Sequence, residues 1–137
     1  MTKKFYITSA IAYPNSSAHL GHCLEIVQVD AIARFHRLKG KDVFFQTGTD
    51  EHGNKNWQTA KDEGKEILEF LDGNVKVFKD LYKKLNISYD QFIRTSDKKV
   101  HYKGASKLWK ELVKTGDLYK KKYKGLYCTG CEAFKTS

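Results

Sequence analysis

The sequence has 137 residues, 40% of them hydrophobic, with eight Phe, eight Tyr and two Trp, which supplies one sizeable core and argues against a disordered chain. Lysine and arginine outnumber the acids 25 to 16, giving a formal charge of +9 that favours an anionic partner such as a nucleotide or RNA. No apolar stretch approaches the roughly 20 residues that span a bilayer, and Met1-Thr2-Lys3-Lys4 runs straight into strand-like sequence without a signal-peptide core, so no membrane partner and a cytoplasmic location are expected.

In chain order, the β-rich run Phe5 to Ile11 predicts a strand, the turn-prone residues Tyr13 to Ser17 a loop, and the segment from about His19 to Lys39 a helix ending at Gly40. Leu20, Ile26, Val27, Ala31 and Phe35 are its expected inward side. Val43 to Thr47 is a second strand, followed by the polar loop Gly48 to Gly53. Strand, crossover helix and strand make a right-handed βαβ unit with a parallel pair, and ligands bind such sheets at the carboxyl ends of the strands.

Asn56 to Leu85 is helical in pattern, with an interruption expected near Asp72-Gly73-Asn74 and a stripe of Val75, Phe78, Leu81, Tyr82 and Leu85. Phe92 to Thr95 reads as a short strand and Lys98 to Thr115 as a helix carrying Ala105, Leu108, Trp109 and Leu112. After Gly116 the character changes, and Leu118-Tyr119 and Gly125 to Tyr127 predict β-structure leading into Cys128-Thr129-Gly130-Cys131. The basic excess runs along the chain, with a short cluster at Lys120, Lys121 and Lys122; such a run is more often a solvated face than a binding stripe.

Three side-chain groups carry chemistry. His19 and His22, nearly one turn apart at the start of a helix, project from a helix end whose free N–H groups already favour phosphate, and Gly21 between them admits close approach to the backbone. That pattern suits attack on an α-phosphate with departure of pyrophosphate, although two surface histidines or a metal pair have the same spacing. At the end of the second strand, Asp50, Glu51 and His52 offer a carboxylate for a substrate ammonium or, equally, acids that cap the next helix. Ile11 and Tyr13 wall a small apolar pocket or belong to the core. Cys128 and Cys131 have the spacing of one arm of a zinc knuckle; a redox pair is the rival reading, and Cys23 has no ligand role.

The segment Tyr13-Pro14-Asn15-Ser16-Ser17-Ala18-His19-Leu20-Gly21-His22 resembles the HIGH-motif region of class I aminoacyl-tRNA synthetases. Thr47-Gly48-Thr49-Asp50-Glu51-His52-Gly53 is similar to a segment typical of the methionine enzymes. Asp30 to Gly40, Phe92-Ile93-Arg94-Thr95 and Tyr127 to Phe134 follow in the family's order, so the resemblance covers essentially the whole chain. Ala12, Ala18 and Asn56 depart from it.

The resemblance implies an α/β, Rossmann-like parallel sheet, the first half of a class I catalytic domain over residues 1–116, with residues 117–137 opening a zinc-knuckle connective insertion. It implies a methionine-tRNA ligase that uses ATP with Mg2+ to make methionyl-adenylate and transfers the methionyl group to tRNA(Met). His19, Gly21 and His22 match the ATP-binding and catalytic motif, Asp50 the acid that holds the ammonium of methionine, and Ala10, Ile11 and Tyr13 the wall of the methionine pocket. Cys128 and Cys131 match the first ligand pair for Zn2+. The KMSKS loop and the anticodon-binding domain have no counterpart here, so a complementing carboxyl-terminal fragment or self-association is expected. A non-catalytic nucleotide- or RNA-binding module and a compact H-x-G-H nucleotidyltransferase are the alternative readings.

Overall fold

The structure, a computed structural model, describes residues 2–128 and 130–135. The chain divides into two compact units, Met1–Thr95 and Ser96–Ser137. This division falls before the fourth helix, whereas the sequence changes character after it, near Gly116.

The first unit runs β1 (Lys4–Thr8), α1 (Leu20–Leu38), β2 (Asp42–Thr49), α2 (Asn54–Asp62), α3 (Ile67–Lys84) and β3 (Gln91–Arg94). All three strands are parallel in the order β1-β2-β3, with Lys4 opposite Asp42 and Gln46 opposite Gln91. The parallel βαβ reading is therefore borne out. The core lies on one face, where Phe45 of β2 meets Ile26 and Ala33 of α1 and Phe78 and Tyr82 of α3, flanked by Ile7, Val29, Leu81 and Phe92. On the other face Tyr6 and Phe44 stack at 6.0 Å between ring centroids and remain 59% and 44% exposed.

Three expectations change. Of the five residues assigned to the inner side of α1, Ile26 alone is buried; Leu20, Val27 and Phe35 face outward. The buried arc instead runs through Ile26, Asp30 and Ala33, because Asp30 is fully bonded there: it accepts from Ser88 N at 2.8 Å, from the Ser88 hydroxyl and from Arg34 Nε at 2.6 Å. The interruption in the second helical segment comes at Gly64, whose φ of +66° suits glycine, and α3 runs unbroken through Asp72-Gly73-Asn74. Those polar residues are tethers: Asp72 pairs with Arg94 at 2.6 Å, and Asn74 Nδ2 donates to Pro14 O at 2.8 Å. Leu118-Tyr119 forms no strand.

The second unit contains α4 (His101–Thr115) and the antiparallel pair β4 (Leu126–Cys128) and β5 (Ala133–Lys135). Phe134 packs against Tyr123 and Tyr127 at 4.6 and 5.2 Å between centroids.

Gly48 fixes how closely β2 and β3 approach. A Cβ there would lie 2.0 Å from Ile93 O and 2.7 Å from Ile93 Cγ2, and neither the backbone nor a branched side chain can step aside. Gly48→Ala should cost about 3 kcal/mol, read from urea unfolding midpoints. For Asp30, burial raises the pKa, but the hydrogen bonds from Ser88 and Arg34 outweigh it and hold the carboxyl below its ordinary 3.8. A lowered folded-state pKa stabilises above the unfolded value, and that contribution disappears as pH falls through the folded value. Asp30→Asn should therefore lose about 2 kcal/mol at neutral pH, with the difference from the parent shrinking towards about pH 3 in acid-unfolding measurements.

Candidate active site

Ser9 and Thr47 mark where the strands deliver their loops: their hydroxyl oxygens lie 2.7 Å apart in the buried interior. Beyond them, Ala12 and Thr49 form an isolated parallel bridge and Asp50 N donates to Ala12 O at 2.9 Å. The loops after β1 and β2 are thus joined at the carboxyl end of the sheet. Pro14 is fully buried in the first loop and accepts from Asn74 of α3.

His19 is the N-cap of α1, with extended backbone (φ −120°, ψ 174°). Its Nδ1 accepts from Gly21 N at 3.1 Å, while His22 Nδ1 accepts from His19 N at 3.2 Å. This is a reciprocal cap built from two imidazoles, whose rings stack at 3.8 Å and 20°. A nitrogen that accepts a backbone N–H carries no proton, so each neutral ring carries its proton on Nε2 and offers it as a donor. Gly21 has a further role: a Cβ there would lie 3.0 Å from His19 Cε1 and 3.1 Å from Nδ1, so glycine leaves space for the capping ring itself. The first turn of α1 holds no acid, and Glu25 further along takes Ala10 N at 2.6 Å, tying the helix to the end of β1.

The acidic cluster after β2 separates into different roles. Glu51 is buried and engaged by Arg94 Nε at 2.7 Å, Arg94 Nη2 at 3.0 Å and the Thr49 hydroxyl at 2.7 Å, while its own N donates to Thr95 Oγ1 at 2.7 Å. Hydrogen bonding to Glu51, with the pairing to Asp72, holds the pKa of the Arg94 guanidinium above its ordinary value against the pull of burial. Glu51 is therefore committed to structure. Asp50 is only half-buried; its carboxylate has a long 3.4 Å bond from Thr95 Oγ1, and its carbonyl accepts from Asn56 Nδ2 at 3.1 Å. Asn56 is buried and serves as a tether for this loop, with Oδ1 lacking a partner among the described residues. His52 Nε2 lies 3.1 Å from Thr95 O.

Ala10, Ile11 and Tyr13 sit on the first loop and are exposed, Ile11 and Tyr13 at 37% each, so neither of the latter is core. Sequence reading overlooked Glu25, Arg94, Thr95 and the tethering roles of Asp72 and Asn74. Only Arg94 left a local sign, a charge inside a strand-like run that must find a carboxylate if it is to be buried.

The family model for class I tRNA synthetases (M) matches residues 5–137. This chain belongs to that family. It is 49% identical over 134 residues to the methionine–tRNA ligase of Clostridium tetani, covering 98% of this chain and 21% of that protein, and 48% identical over 132 residues to the Brucella suis enzyme, covering 96% and 25%. Mycobacterium tuberculosis methionyl-tRNA synthetase, solved in complex with methionyl-adenylate, superposes with a TM-score of 0.93 at 44% identity over 98% of this chain and 26% of that one. The parallel sheet is thus that of a class I synthetase catalytic domain. The chain spans about a quarter of the length of the relatives it matches.

In the second unit of this synthetase-family chain, Cys128 ends β4 and Cys131 is exposed, with Lys135 Nζ 3.3 Å from its sulfur; Thr129, between the cysteines, lies outside the described residues. Among the described residues no group of three or more His, Cys, Asp or Glu is arranged to hold an ion. The thiol pair can supply two ligands of a tetrahedral zinc site and not the four of a closed one.

Burial first, and then the neighbouring His19, lower the pKa of His22 from 6.5, against a smaller upward pull from Glu25. The unfolded chain then takes up protons first as pH drops, so this contribution to stability is present above about 6.5 and lost below it. His22→Ala should cost about 1 kcal/mol at pH 7, whereas His22→Gln retains an acceptor for His19 N and should stay within about 0.5 kcal/mol. The glutamine protein should also lose part of the parent's decline between about pH 7 and 5, followed by urea unfolding.

Proposed function

We propose that this chain supplies the ATP- and methionine-binding half of a methionine-tRNA ligase. The observation that carries the reading is the reciprocal histidine cap: two rings whose Nδ1 atoms are occupied by backbone donors, leaving Nε2–H on each at the amino end of a 19-residue helix with no acid in its first turn.

Methionine and ATP would meet at the loops joined by Asp50 and Ala12. Asp50 is the carboxylate left over for the α-ammonium, since Glu51 is spent on Arg94. Ala10, Ile11 and Tyr13 would line part of the amino-acid pocket. A carboxylate oxygen of methionine attacks the α-phosphorus, the bond from phosphorus to the bridging oxygen of pyrophosphate breaks, and charge gathers on the phosphate oxygens. The Nε2–H groups of His19 and His22 and the helix terminus stabilise that charge without being consumed. Gly21 keeps the His19 ring in place for this task. Burial holds the His22 pKa below its ordinary value, so its ring stays neutral and donates through Nε2–H.

Magnesium would arrive with the triphosphate and offset its charge. Zn2+ would take Cys128 and Cys131 as two of its ligands, which assigns residues 117–137 to the start of a connective insertion and 1–116 to the first half of the catalytic domain. The second step, transfer to tRNA(Met), and a cytoplasmic location follow from the family reading. β1 is an edge of the three-stranded sheet, and either a carboxyl-terminal partner segment or a second copy would cover it. The methionyl-adenylate held by the tuberculosis relative supports the substrate choice.

Methionine-dependent exchange of labelled pyrophosphate into ATP tests this reading. The chain alone should exchange at background, and addition of the remainder of the Clostridium tetani enzyme should restore exchange. In that mixture His19→Ala should lower the rate by about 10²-fold or more. Restored exchange that His19→Ala leaves untouched would remove the histidines from the mechanism, and no restoration would leave the chain a binding module.

A further inference from the structure

The basic excess, expected to run along the chain, is not evenly divided between the two units. Residues 96–137 carry 11 lysines against 4 acids, so +7 of the chain's +9 lies there. Much of it is on α4, where Lys103, Lys107, Lys110 and Lys114 recur at intervals of four, three and four residues and fall within an arc about 60° wide. All four are exposed and, with Lys98, Tyr102 and Ser106, border a shallow groove of ≈ 500 Å³. Leu108, Trp109 and Leu112 occupy the opposite arc.

A merely solvated helix face ordinarily mixes signs. The lysines of α3 do so: Lys76 pairs with Asp80 at 2.5 Å, and Glu69 and Asp72 share the same helix. On α4 the single acid beside the arc is Glu111, which pairs with Lys114 at 2.8 Å, and Lys103, Lys107 and Lys110 form no ion pair among the described residues. Neighbouring lysines one turn apart repel, so the arc weakens its own helix until an anion neutralises it.

We propose that this face of α4 is a contact surface for the phosphate backbone of an RNA stem. The four lysine positions rise along the helix axis in steps of about 4.5–6 Å, and their flexible side chains let the ammonium groups follow successive phosphates along one strand. Lysines act as point charges that hold a backbone without reading bases, which suits positioning rather than sequence recognition. The choice of RNA among polyanions rests on the methionine-tRNA ligase reading. The surface itself contains none of the candidate adenylation residues, so the two ideas fail separately.

The test is binding of a fluorescent RNA hairpin to the full 137-residue chain, followed by anisotropy over a range of salt. K103Q/K107Q/K110Q/K114Q should weaken binding by about tenfold or more near 0.1 M salt and reduce the slope of log affinity against log salt by about 3. K120Q/K121Q/K122Q/K124Q removes the same charge from the adjoining segment and should lose less than about threefold. Glu111→Gln, which leaves every lysine in place, should tighten binding by about twofold, an outcome that damage to the fold would not produce. Equal losses in the two quadruple variants would show that total charge is all that matters and overturn the assignment. So would absence of salt-dependent binding by the parent chain, or tighter binding to vesicles containing phosphatidylserine than to the hairpin.

Discussion

Strand β2 sits between two parallel neighbours, and its inward residues Phe45, Thr47 and Thr49 have no exposed surface at all. A strand so enclosed cannot shift by one residue without turning Phe45 away from Ile26 and Phe78 and exchanging buried for unburied positions along its length. Register is therefore fixed by the core. Because Gly48 holds β3 close, the register also determines where β2 stops and hence where Asp50 lies. The bridge from Thr49 to Ala12 passes that constraint to the loop after β1, and Glu25 closes the path back to the histidine-bearing helix.

The loops around the candidate site are held more by polar tethers than by apolar packing. Glu51 is buried and held by Arg94 and the Thr49 hydroxyl, and Arg94 also pairs with the exposed Asp72, so the cost of desolvating Glu51 is met locally. Asn74 on Pro14 O, Asn56 on Asp50 O and Thr95 on Glu51 N do the same for the backbone. Polar groups with fixed partners are already oriented before a ligand arrives, which is the condition for electrostatic stabilisation without reorganisation. The two histidines meet that condition through each other.

The strands and the first helix were legible in the sequence because β-branched and aromatic runs alternate with long helical stretches bounded by glycine. His19 and His22 were legible for a different reason: their spacing places them on one side of a helix start whatever the tertiary structure does. The inward side of α1 was not, because a local apolar pattern cannot reveal that Asp30 will meet Ser88, which is remote in sequence. The same limit hid the division of labour between Asp50 and Glu51. Adjacent acids look alike until Arg94, from another strand, selects one of them. The sequence pointed to a helix break near Asp72-Gly73-Asn74, but Asp72 and Asn74 find partners only if α3 continues past Gly73, and the break falls at Gly64 instead.

The sheet of the first unit has helices packed on one face, while Tyr6 and Phe44 lie stacked and exposed on the other. A ribosome delivers this unit from its amino end, so both parallel pairs can form while that aromatic surface is still bare. Parallel sheets are ordinarily covered on both sides. The three strands can thus be paired with one another while one face of their sheet is still uncovered, and such surface is what a general chaperone binds. The stacked aromatic pair keeps that open face adhesive until something covers it.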